Sequence, residues 1–210
     1  MLLLLFGCVH PVAPQAVDAR HGQDVLAARD ALVNADLPRF TAAIGAVSRQ
    51  FPIPGDVAPQ APVRTALDSA LAASNLSSAA TAFGQLGVAC GGCHAATGAR
   101  LAPPDSAAPT GDGVRPEMAR HDRALALVWS GLVRPSDEDL RAGADAFAAS
   151  TLQPLAGSVP DADRLDQLVN QTANELVQEP GQRPEKFALL VGTCAACHLQ
   201  PPPGVGGEVE

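Results

Sequence analysis

The 210-residue sequence predicts an all-α fold of two tandem four-helix bundles, on three observations. The composition is 47% hydrophobic but only 3% aromatic, so the core must be built from Ala, Leu and Val. Ala and Leu are the best helix formers, whereas a β-sandwich would draw on more aromatic and β-branched residues. Apolar residues also recur at helical spacing. His21, Val25, Ala28 and Leu32 fall at i, i+4, i+7 and i+11, one stripe of a helix. Finally, the chain repeats. Ala19-Arg20-His21 returns as Ala119-Arg120-His121, a shift of 100, and further on a shift of 104 carries Phe83 onto Phe187, Leu86 onto Leu190 and Cys90 onto Cys194. A repeat of pattern at fixed offset implies two units of one fold.

The elements follow in order. Residues 1–16 read as a leader and tether. The run from Met1 to Phe6 is apolar, and Leu5-Phe6-Gly7-Cys8 resembles a lipobox, which makes Cys8 the expected lipidation site. It departs from that pattern in the bulk of Phe6 and in having no basic residue before the run; an ordinary cleaved signal, or none, is the alternative. No apolar run is long enough to span a bilayer. The first bundle spans 17–98. Its first helix covers 17–34, and a second, N-capped by Asp36, carries Phe40, Ile44, Val47 and Phe51 on one face. A Pro-rich loop over 52–62 leads to helices over 63–73 and 77–94. Residues 99–114 are a Pro- and Gly-rich linker with no core of its own. The second bundle spans 115–199, with the stripe His121, Leu125, Val128 and Leu132, a cap at Ser136, and helices over 162–177 and 184–198. The tail, 200–210, is expected not to fold.

The cysteines carry the chemistry. Beyond Cys8 there are four, in Cys90-Gly91-Gly92-Cys93-His94 and Cys194-Ala195-Ala196-Cys197-His198. Each is C-x-x-C-H, the attachment sequence of a c-type haem. On a helix, Cys residues three apart share a face, so both thiols reach the two vinyl groups and form thioethers. The adjacent His supplies the proximal imidazole, so His94 and His198 are the expected iron ligands of two covalent haems. A zinc site, a redox dithiol and plain disulfides also use Cys pairs, but none of them requires a His after both.

The haem motif on the last helix of each predicted bundle resembles the class II c-type cytochromes, the cytochrome c′ and c556 group. The resemblance covers nearly all of each half in helix order and motif position. It implies a haem buried among four helices, with any sixth ligand drawn from upstream. Only 12 residues follow His198, and none is Met or His. His21 and His121 occupy equivalent positions on the apolar stripe of each first helix and are the candidate distal ligands. Met118 lies three residues before His121 and is an alternative for the second haem, since c556-like members use a first-helix Met; its counterpart Asp18 cannot serve. Phe83 and Phe187 are expected to line the haem pockets, Trp129 to pack at a helix interface, and Arg20 and Arg120 to lie on exposed helix faces or meet propionates.

Charge narrows the function. The 14 Lys and Arg against 22 Asp and Glu leave −8, a poor match to nucleic acid and a good one to a redox partner with a basic docking surface. The expected function is electron transfer on the periplasmic side of a bacterial membrane, either lipid-anchored through Cys8 or soluble. Two tandem sites could relay electrons if the halves pack closely. The alternative is binding or sensing of NO or CO at an open haem site, and coordination number separates the two. No constellation for bond-making catalysis is present: Arg20-His21 and Arg120-His121 are adjacent helical residues, and these diverge by about 100°.

Overall fold

The computed structural model describes residues 19–51, 60–104, 107, 109–151, 159 and 161–199, with backbone alone at 19 and 20. Cys8 and the leader, the loop over 52–59 and the tail lie outside the described residues. Every regular element among the described residues is helical. The first half holds α1 (Ala19–Val33), α2 (Leu37–Arg49), α3 (Gln60–Leu71) and α4 (Leu76–Thr97). The second holds α5 (Val114–Val133), α6 (Asp137–Ala148), α7 (Ala162–Gln178) and α8 (Arg183–His198), the last preceded by a 3-10 turn at Pro180–Gln182. No helix among these residues is long and apolar enough to cross a membrane.

Local chemistry sets the helix ends. The Asp36 carboxylate accepts from Arg39 N at 2.9 Å and starts α2. The Ser136 hydroxyl accepts from Asp139 N at 3.1 Å and starts α6. α4 begins earlier than the apolar pattern indicates, because Asn75 and Ser78 cap each other: Asn75 Oδ1 accepts from Ser78 N at 2.9 Å, and Ser78 Oγ accepts from Asn75 N at 3.3 Å. It also runs past His94 to Thr97, where Gly98 takes φ 67° and closes the helix. α3 begins inside the expected loop, with Pro62 in its first turn, where no N–H is needed.

Sequential helices pack within each half, but the halves are not separate. α4 packs along α8, α5 packs on α4, and α1 packs on α8. A single hydrophobic cluster runs through both halves, including Phe40, Leu67 and Phe83 from the first and Phe147, Leu176 and Phe187 from the second. α4 and α8 run antiparallel. Phe83 meets Phe187 with ring centroids 6.2 Å apart, and Leu76 and Ser77 at the start of α4 share a groove with Gly192, Ala196 and Leu199 at the end of α8. Glycines permit this close approach. A Cβ on Gly84 would sit 2.2 Å from Pro184 O, one on Gly87 2.8 Å from the Trp129 ring, and one on Gly91 2.2 Å from Leu132 O.

Candidate functional site

The antiparallel α4–α8 pair carries one Cys-His motif near the C-terminal end of each helix, so the motifs lie at opposite ends of the molecule. His94 lies eleven positions after Phe83, and His198 eleven after Phe187; at 1.5 Å per residue each motif is roughly 16 Å from the centre, in opposite directions. The pairs therefore do not converge on a common four-thiol site, and no group of three or more His, Cys, Asp or Glu among the described residues is placed to hold a metal ion. The four thiols are unpaired. Burial, reinforced by the neighbouring thiol, pushes Cys90 and Cys194 up to about 12. Burial also raises Cys93 and Cys197. A redox dithiol needs the reverse, a thiolate stabilised at a helix N-terminus, whereas these cysteines occupy the end where the helix dipole opposes a negative charge.

The second site is a cavity of about 500 Å³, within the range of cofactor pockets. Cys194, Cys197 and His198 line it from α8, and Met118 and His121 from α5, with Leu125, Leu165 and Val169 as apolar wall. Met118 and Cys197 both pack against the buried cluster of Ala162 and Leu165. The His121 side chain is 13% exposed, its ring stands edge-on to Phe147 at 5.6 Å, and its Nε2 is buried with no hydrogen-bond partner. Burial holds this imidazole below its ordinary pKa; the Glu117 carboxylate, 3.8 Å away, opposes the shift and Arg120 adds to it. A neutral imidazole with an unused nitrogen is the form that ligates a metal. The residues present thus fit a covalently held haem: two thiols, two imidazoles and apolar walls around one space.

The other half completes this cavity with Arg29, Asp30, Asn34 and Arg39 from α1, its end and α2. Arg29 is a buried cation, 8% exposed, bonded to Asp30 at 2.9 and 3.0 Å and to Asp122 of the second half at 3.2 Å. The His198 Nδ1 lies 3.3 Å from Asn34 Oδ1.

The first site is the counterpart. Cys90 and Cys93 are buried, and His94 is half-buried beside them on α4. Burial, followed by the charge of His94, lowers the His21 pKa, and the Asp24 carboxylate opposes the shift. The His21 ring lies 5.4 Å from Phe51, as that of His121 lies against Phe147. Phe51 therefore takes the place that the repeat alignment gives to Val47, one turn earlier. His94 Nδ1 is 2.8 Å from Val133 O, the last residue of α5. A carbonyl only accepts, so Nδ1 is the donor, and in the neutral ring the lone pair then lies on Nε2.

Other expectations fare differently. Phe83 and Phe187 do not line the second cavity; they meet at the centre between the halves, where Trp129 stacks on Phe83 at 4.7 Å. Trp129 sits at the α4–α5 interface, against Gly87. Arg120 pairs with Glu117 and donates to Gly111 O at 3.0 Å. The Arg20 side chain lies outside the described residues. Asn34, Val133 O and Arg29 were not legible in the repeat, because their counterparts are Arg134, Val33 O and Trp129, which differ in chemistry or carry no side-chain signal. No family model matches the chain, and no similar curated protein or solved structure is found.

Proposed function

We propose that this chain is a dihaem c-type cytochrome that carries electrons in the bacterial envelope, built as two tandem four-helix bundles similar to class II c-type cytochromes. The observation that supports it most is the second cavity, which gathers Cys194, Cys197, His198 and His121 around one space and leaves His121 Nε2 buried with no hydrogen-bond partner. When bound there, haem supplies one-electron iron chemistry. The cysteines would hold it by thioethers, and His94 and His198 would offer Nε2 to its iron. His21 and His121 offer a second nitrogen, with Met118 the alternative at the second site. Leu125, Leu165 and Val169 would pack against its apolar face, and Arg29 and Arg39 are the cations able to meet its carboxylates. The sites lie at opposite ends, so each has its own face for docking, and the −8 charge suits a basic partner. Lipidation at Cys8 would hold the protein on the periplasmic side of a membrane.

The test is an EPR spectrum of the ferric protein made with haem-maturation machinery. Two low-spin signals are expected. A high-spin signal would mean an open site and turn the reading toward NO or CO binding at that haem; protein without covalent haem would end the cytochrome reading.

A further inference from the structure

The hydrogen-bond acceptor of His198 comes from the other half of the chain, and its placement is built. α1 ends in a turn in which Asn34 N donates to Asp30 O at 3.0 Å, Ala35 N to Leu32 O at 3.0 Å and Asp36 N to Ala31 O at 2.8 Å. Ala35 adopts φ 56°, a left-handed conformation that is unfavourable for a residue with a Cβ. The turn holds Asn34 at the rim of the second cavity. There Asn34 Nδ2 donates to Asp30 O at 2.7 Å. With its donor turned back onto α1, the amide presents its oxygen to His198 Nδ1 at 3.3 Å. Oδ1 accepts and Nδ1 donates, which selects the tautomer of the neutral ring whose lone pair lies on Nε2.

The first site reaches the same end differently. The counterpart of Asn34 is Arg134, which has no acceptor on its side chain and is engaged with Asp139 at 2.9 Å. The backbone takes over: His94 Nδ1 donates to Val133 O at 2.8 Å, in a half-buried setting. Val133 ends α5, so its carbonyl also carries the negative end of a helix dipole.

We propose that Asn34 is a positioning residue for His198, supplied across the boundary between the halves, that fixes the tautomer and orientation of this ligand and so tunes the potential of the second haem. The inference rests on the haem reading above. A hydrogen bond from Nδ1–H makes an imidazole a stronger donor to the metal and favours ferric iron. The shorter bond to a helix-terminal carbonyl makes His94 the stronger donor of the two, which assigns the lower potential to the first haem.

The test uses the holoprotein and two variants, Asn34→Leu and Asn34→Asp. Covalent haem is first counted by its pyridine haemochrome spectrum, and a redox titration then resolves the two potentials. Asn34→Leu removes the acceptor at similar volume and is expected to raise the higher potential alone. Asn34→Asp restores a stronger acceptor and is expected to bring that potential to the wild-type value or below it. Two bound haems with both potentials unmoved in both variants would overturn the inference. So would shifts of the same sign in both variants, which would mark a packing effect. Absence of covalent haem from the wild-type protein would instead overturn the underlying cytochrome reading, and it is seen before any titration begins.

Discussion

Glu117 is 2% exposed, one turn from His121, and it is the charge that ties the N-terminal end of α5 to the chain after α6. Its carboxylate pairs with Arg120 and accepts from Thr151 N at 2.7 Å. Burial opposes ionisation, but these two hydrogen bonds and the charges of Arg120 and His121 outweigh it, and the pKa falls below the ordinary 4.5. A carboxyl group depressed in the folded state binds fewer protons than in the unfolded chain. Its stabilisation is complete above pH 4.5 and is lost as the pH falls through the depressed folded value. Glu117→Gln is therefore expected to cost about 2 kcal/mol at pH 7, through the loss of charge-assisted bonds to a buried group. In urea melts the gap between wild type and variant should narrow as the pH is lowered below 4.5. At this scale the repeat was the informative signal. It placed two histidines in one register, and the structure leaves both half-buried, His121 on the cavity that Cys194, Cys197 and His198 line. It was silent on Asn34 and on the Val133 carbonyl, because one has an unlike counterpart and the other is backbone, whose role depends on which helix end arrives beside it.

Helix boundaries were mostly legible, since Asp36 and Ser136 announce their caps and period 3.6 gives the faces. The helix crossings were not. Gly84, Gly87 and Gly91 fall at i, i+3 and i+7 of α4, and no residue within α4 indicates that another backbone lies against them. The contact of Gly84 with Pro184 O and of Gly91 with Leu132 O is backbone against helix, where little can yield. Gly84→Ala and Gly91→Ala are each expected to lower stability by more than about 2 kcal/mol, despite the better helix propensity of Ala. Gly92→Ala is the control. A Cβ there meets nothing within 4 Å, so the substitution should raise stability by up to about 1 kcal/mol. Equilibrium unfolding of the three variants checks the order, and equal effects at Gly91 and Gly92 would contradict the packing described.

The continuous core that runs through both halves sets the behaviour of the whole molecule. The repeat and the Pro-rich linker read as two tandem bundles and left open how closely they pack, because neither feature records which helix meets which. In the folded chain α4 turns one face to α8 and α5, and α1 reaches α8. Separating the halves would expose Phe83, Phe187 and Trp129 together. Thermal unfolding is therefore expected as one cooperative transition, with calorimetric and van't Hoff enthalpies in agreement. Two resolved transitions would show that the halves melt independently.

The crossed contacts come in reciprocal pairs: α1 on α8 with α5 on α4, and His198 on Asn34 with His94 on Val133. Reciprocity of this kind belongs to an isologous interface, where two identical subunits meet about a two-fold axis. Each half of the chain offers the other the surface that a half-length ancestor would have offered a second copy of itself. Such an ancestor would close as a homodimer, with every site finished by its partner. Fusing the copies through a linker replaces a concentration-dependent encounter with an intramolecular one. It also releases the symmetry, so that position 34 and position 134 are free to diverge and the two sites to acquire different properties.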